Sequence, residues 1–174
     1  FEKALVAFRD KDANGNGKLD DEIPFSFIWR AWSNDMAPLW GPFGITDDKS
    51  HIQIVDGTVR LTVLQPEYKD AVRWINKLYA QKLLDPEGFT QKSTALGAKV
   101  QSDQVGSFYA WSPNVFADNK AAIANRLAYT PALAGPGGKR AMPRTSFNGI
   151  INYAFNITDK CEYPSVLARY VDLC

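Results

Sequence analysis

Apolar residues recur along this chain with two different periods, and each period predicts a different kind of element. Phe1, Leu5 and Phe8 share one face of a helix already under way at the first residue, so the chain reads as an interior stretch of a longer protein. A polar, glycine-containing stretch from Asp10 to Glu22 follows. Pro24 then opens an apolar segment through Phe25, Phe27, Ile28, Trp29 and Trp32, expected to be helical. The run from Pro38 to Gly44 holds too many chain breakers for regular structure and puts Trp40 and Phe43 on a turn. The period changes to two in Ile52–Val55 and Thr58–Val63, which flank Asp56-Gly57, a pair suited to the positive-φ positions of a hairpin turn.

Pro66 stands at a natural first helical position, and Tyr68, Val72, Ile75 and Tyr79 recur at helical spacing up to Leu84, before Asp85-Pro86. Downstream the pattern predicts a helix over Gln91–Lys99, a strand over Val105–Trp111 and a helix over Ala117–Leu127. A loop from Leu133 to Pro143 around Gly135-Pro-Gly-Gly, a β-rich run at Ile150–Ile157 and a closing helix over Pro164–Leu173 complete the reading. Strands and helices mix throughout, which implies an α/β or α+β layer arrangement, and 174 residues is the length of one ordinary domain.

Composition removes several functions. No apolar run approaches the length a membrane helix needs. The formal net charge is +1 and the basic residues are scattered, which argues against nucleic acid as a partner. Cys161 and Cys174 fix neither a disulfide nor a compartment. The single histidine, His51, begins a strand, where a solvated or capping role outweighs catalysis. The chain holds no Gly-x-Ser-x-Gly elbow, no His-Glu-x-x-His pair and no phosphate-cradling glycine loop, so no enzymatic activity is expected.

The most specific stretch is Asp10-Lys-Asp-Ala-Asn-Gly-Asn-Gly-Lys-Leu-Asp-Asp-Glu. Calcium takes six to eight oxygens, and a short loop supplies them when Asp and Asn alternate around a glycine turn. Starting the loop at Asp10 puts Lys18 at the ninth position and Asp21 at the twelfth. Starting at Asp12 fits better: Asn14 and Asn16 follow, Gly17 turns, Lys18 offers its carbonyl and Asp20 takes the ninth position. Ile23 then falls at the twelfth, so the closing carboxylate comes from Asp21 or Glu22. The expected ligand set for Ca2+ is Asp12, Asn14, Asn16, Lys18, Asp20 and Asp21, within a loop spanning residues 10–24. Filled by protein oxygens, such an ion is a structural clip, and a carboxylate that holds it is a poor general acid.

These residues carry a resemblance. The chain resembles the family 1 extracellular solute-binding proteins of bacterial ABC importers, including the oligosaccharide-binding lipoproteins and alginate-binding proteins. Many of these carry a loop similar to Asp12-Ala-Asn-Gly-Asn-Gly-Lys before an Asp-Glu-Ile-Pro, here Asp21-Glu22-Ile23-Pro24. This chain has one extra residue, since Leu19-Asp20 stands where the family has one residue, and that leaves open which two of Asp20, Asp21 and Glu22 coordinate. The hairpin at Asp56–Val59, Pro66-Glu-Tyr-Lys with Asn76-Lys-Leu-Tyr, Leu84-Asp-Pro-Glu, Gly135-Pro-Gly-Gly-Lys and Ile157-Thr-Asp-Lys-Cys follow in the family's order. The resemblance implies a class II periplasmic-binding-protein-like α/β lobe: residues 1–174 as a single segment, mostly one lobe, of a longer two-lobed protein. It also implies a monomer, extracellular and lipid-anchored or periplasmic, that closes on a carbohydrate and delivers it to ABC permease membrane subunits without altering it.

Sugar rings pair an apolar face with a rim of hydroxyls, so their sites combine aromatic platforms with polar side chains. Trp40 and Phe43 on their turn, and Tyr109 and Trp111 just before Ser112-Pro113, place rings where the backbone turns; Arg144 is a candidate polar contact. Two other functional classes fit less well. A carbohydrate-active enzyme fragment lacks a free acid/base pair, and a dockerin-like or adhesion module lacks the second copy of the loop.

Overall fold

In the computed structural model, residues 1–29, 35–46, 51–110, 112–116, 126–142 and 156–172 are described. The first helix, α1, covers Glu2–Asp10 and buries Leu5. It is tied to the second half of the helix Pro66–Ala80 by an ion pair between Lys77 and Glu2 at 2.5 Å and by Trp74 Nε1, which donates to Glu2.

The stretch after Pro24 is not helical. Ile23 and Ser26 lie in parallel register with Val105 and Phe108. The pairing is carried by Ile23 N–H to Gln104 O at 2.7 Å, Gly106 N–H to Ile23 O at 2.9 Å and Ser26 N–H to Ser107 O at 3.0 Å. Its other side is held too, by Asp85 N–H donating to Phe25 O and Trp29 N–H to Gly88 O. Partners some 60 to 80 residues away satisfy this backbone, so extended structure wins and Phe25 and Phe27 turn to one side into the core. Trp32 lies outside the described residues.

The hairpin forms as expected, with β1 at Ile52–Val55, β2 at Thr58–Leu61 and the register Ile52 to Leu61. Asp56 and Gly57 both have positive φ, 50° and 73°, which matches the right-handed twist of the strands. Thr62 and Val63, expected in the second strand, instead begin a 3₁₀ turn, Thr62–Leu64. Helix α2, Pro66–Ala80, has its proline in the first turn and buries Ala71, Ile75 and Leu78. That face is rotated from the expected one, leaving Val72 and Tyr79 exposed. The helix ends where Lys82 takes φ 57° and Leu83 N–H bonds back to Leu78 O, which sends Leu83 and Leu84 inward.

Helix α3 spans Ser93–Gln101, two residues later than expected at each end, and buries Leu96 and Val100. The expected strand at 105–111 is present as the two bridges at Val105 and Phe108. The glycine-rich loop is a 3₁₀ turn, Pro136–Gly138, closed by a bridge between Ala134 and Arg140. The last helix, α4, covers Pro164–Asp172 and buries none of its residues. The helix expected at Ala117–Leu127 and the β-rich run at Ile150–Ile157 fall almost wholly outside the described residues.

Two apolar clusters result. The larger joins Leu5, Phe25, Phe27, Met36, Leu39, Ile75, Leu78, Leu83 and Leu84, with Trp40, Trp74 and Leu133 against it. The smaller joins Leu96, Val100 and Phe116, with Phe108 and Ala110 against it. The paired segments 23–26 and 105–108 run between them.

Candidate functional site

The loop from Asp12 to Glu22 connects α1 to the paired segment at Ile23, and its own side chains hold it. Asp12 accepts from Asn16 N–H at 2.9 Å through one oxygen and from Gly17 N–H at 2.8 Å through the other. Asn14 Oδ1 also accepts from Asn16 N–H, and Asn16 Oδ1 accepts from Lys18 N–H. Gly15 and Gly17 have φ of 75° and 85°, the left-handed backbone such a loop needs. Glu22 reaches back nine residues to accept from Ala13 N–H at 2.9 Å, and Asp21 Oδ2 accepts from the Asn16 amide at 2.8 Å.

Each of those two acidic residues keeps a second oxygen that is buried and has no hydrogen-bond partner among the described residues: Asp21 Oδ1 and Glu22 Oε2. A buried carboxylate oxygen without a donor is costly and calls for a cation. This donor set, hard oxygens on alternating short side chains, fits calcium. Asp20, expected at the ninth position, is exposed beside Leu19, itself 65% exposed. The buried, unpartnered carboxylate oxygens of the loop belong to Asp21 and Glu22. Among the described residues, no three acidic, histidine or cysteine side chains gather into a metal-holding group, so amide and backbone oxygens complete any shell here.

Sequence reasoning missed a second acidic cluster. Asp85, 2% exposed, accepts from Ser26 Oγ at 2.6 Å, Gln91 Nε2 at 3.2 Å and Lys99 Nζ at 2.8 Å, and Lys99 also pairs with Glu87 at 2.7 Å. Burial alone lowers the Lys99 pKa, but its hydrogen bonds to Asp85 and Glu87 outweigh that and leave it above the ordinary lysine value. The cluster is complete within the protein and ties the Phe25–Phe27 segment to α3. Its only local trace in sequence is the Asp85-Pro86-Glu87 cap, in which Asp85 accepts from Glu87 N–H at 3.0 Å.

Trp40 and Phe43 sit on successive 3₁₀ turns, Ala37–Leu39 and Gly41–Phe43, packed against α2. Trp40 stacks on Tyr68 with ring centres 4.8 Å apart and planes at 19°, and Phe43 meets Trp74 at 5.8 Å. Tyr68, absent from the sequence-derived candidates, therefore covers one face of Trp40, which is half-buried. Tyr109 follows the bridge at Phe108; it is half-buried, and desolvation raises its phenol pKa. Trp111 and Arg144 lie outside the described residues.

No family model matches the chain. It is 33% identical over 171 residues to the fructooligosaccharide ABC transporter substrate-binding protein FusA of Streptococcus pneumoniae, covering 98% of this chain and 31% of FusA. It is 26% identical over 165 residues to the lipoprotein LipO of Bacillus subtilis, covering 31% of that protein as well. The solved structure of FusA in complex with kestose superposes at a TM-score of 0.72 with 35% identity over 82% of this chain and 28% of FusA. An EF-hand mutant of FusA in complex with fructo-nystose superposes equally well, with 34% identity. An extracellular solute-binding protein from Bifidobacterium longum subsp. infantis, 24% identical, shares the fold at a TM-score of 0.67. By sequence and fold the chain is similar to one part of a substrate-binding protein of an ABC transporter, a stretch matching 28 to 31% of the length of FusA.

Proposed function

We propose that this chain is part of an extracellular binding protein that captures an oligosaccharide and hands it, chemically unchanged, to the membrane subunits of an ABC importer. The observation that carries the reading is the 33% identity to a fructooligosaccharide-binding protein across 98% of the chain. The lipoprotein name of LipO supports attachment at the outer face of the membrane, and among the described residues no helix is long and apolar enough to cross one. In this reading Trp40, backed by Tyr68, is the first candidate platform for a sugar ring, and Phe43, Tyr109, Trp111 and Arg144 remain candidate contacts. Because the chain spans about 30% of FusA, it supplies only part of a binding cleft and binds weakly by itself. Titrating the chain with kestose while following tryptophan emission tests this. A saturable change that is lost in Trp40→Ala, with kestose recovered intact, supports the reading; shortened sugar products overturn it.

The loop at residues 12–22 belongs to the same proposal as a calcium clip. It rests on the buried oxygens of Asp21 and Glu22 and on the alternating donors before them. The EF-hand named for FusA is consistent with it. Asp12, Asn14, Asn16, the Lys18 carbonyl, Asp21 and Glu22 are the residues that would hold the ion. When bound, it supplies charge neutralisation and closure of the loop, joining the end of α1 to the segment at Ile23. The residues themselves bind and orient, and no proton transfer is assigned to them.

A further inference from the structure

The sequence marked Gly135-Pro-Gly-Gly as a loop and gave it no role. Its position supplies one. The loop 134–141 lies directly on the turn that carries Trp40 and Phe43, and the contact is backbone on backbone. A Cβ at Gly135 would overlap the carbonyl of Pro42, and a Cβ at Gly41 would overlap the carbonyl of Ala141. The approach is therefore open only to glycine at both positions. Gly137 and Gly138, by contrast, have positive φ of 76° and 77° but would meet nothing. They turn the loop, whereas Gly135 and Gly41 seat it.

The loop is itself stiffened. Gly135 N–H donates to Lys139 O at 2.8 Å, Ala134 bridges to Arg140, and Arg140 Nη1 donates to Ala132 O at 2.5 Å. Leu133, just before it, packs against the larger core, as Trp40 does. The aromatic turn is thus held both by Tyr68 and Trp74 of α2, through its rings, and by this loop, through its backbone.

We propose that loop 134–141 is a clamp that fixes the orientation of the Trp40–Phe43 turn, with Gly41 and Gly135 as positioning residues for the aromatic side of the carbohydrate site. The clamp itself stands on the geometry; its part in ligand binding rests on the function proposed above. A preformed platform binds more tightly than one that must be ordered on binding.

The chain labelled with 5-fluorotryptophan gives a ¹⁹F NMR signal for each of its five tryptophans, and the Trp40 signal is assigned by its loss in Trp40→Phe. In Gly135→Ala and Gly41→Ala the Trp40 signal should shift by more than its linewidth while the Trp29 signal stays. Gly137→Ala, strained but free of overlap, should leave Trp40 in place. Should either glycine variant fail to fold, Arg140→Ala, an exposed change that loosens the neck of the loop, should still broaden or shift the Trp40 signal. A Trp40 signal unmoved in every folded variant, or moved as far by Gly137→Ala, overturns the clamp. Kestose titration separates the two layers: an affinity about tenfold lower in Gly135→Ala, the loss of an aromatic contact worth about 1.4 kcal/mol, supports the positioning role. Unchanged affinity alongside a shifted signal leaves the clamp standing and removes Trp40 from the sugar site.

Discussion

At Asp85 a carboxylate that is 2% exposed is met by Lys99, Ser26 and Gln91; at half-buried Asp21 and Glu22, one oxygen of each is hidden from solvent and meets no donor among the described residues. Both clusters brace the same segment, since Asp85 holds Ser26 and the loop ends at Ile23. A buried carboxylate is tolerated when its charge and lone pairs are answered, and the protein answers one from within. The other has the oxygen-rich, alternating donors that a divalent cation uses, and under the calcium proposal its answer comes from solution. The first cluster should therefore ignore calcium and depend on a lysine, and the second the reverse.

The largest effect expected on that contrast is Lys99→Ala. It leaves Asp85 buried and charged, and should destabilise the fold by about 3–5 kcal/mol in urea unfolding, with or without calcium. A loss below about 1 kcal/mol, the level of an exposed pair, would mean that water reaches Asp85. Next comes calcium itself. At a free concentration one hundred times its dissociation constant, it should add about 2.7 kcal/mol of stability, reversed by chelation. An identical melting curve with calcium and with chelator would remove the clip.

The pH dependence of the first cluster is smaller and has a definite sign. The Lys99 pKa is raised in the folded chain, so its contribution is complete below the ordinary lysine value and is lost as pH rises through the folded one. Unfolding free energy should hold to about pH 10 and fall above it, and Lys99→Ala should flatten that fall. Smallest of all is Asp20→Ala, an exposed change, which should alter stability by less than about 0.5 kcal/mol and leave calcium binding intact.

What could be read from the sequence was whatever local chemistry decides. Asp56-Gly57 dictated its hairpin, Pro66 its helix start, and the donors at 12, 14 and 16 their loop, because neighbours a few residues apart settle each of these. The segment after Pro24 was misread as a helix because its backbone partners lie at 104–107 and 85–88, and no local pattern announces a parallel partner so distant. Separation in sequence likewise hid the bond between Ser26 and Asp85, 59 residues apart, and the seat of Gly135 on Pro42. Within the loop, local chemistry supplied the donors but could not place the extra residue. Leu19 and Asp20 are exposed, and the buried unpartnered oxygens belong to Asp21 and Glu22.

Calorimetric titration of calcium into the chelator-stripped chain tests the central claim most directly, run beside Asp20→Ala and the double variant Asp21→Asn with Glu22→Gln. The account predicts one ion per chain in the parent and in Asp20→Ala, and none in the double variant, with all three retaining their fold. No uptake by the parent, or uptake lost in Asp20→Ala and kept in the double variant, would contradict it.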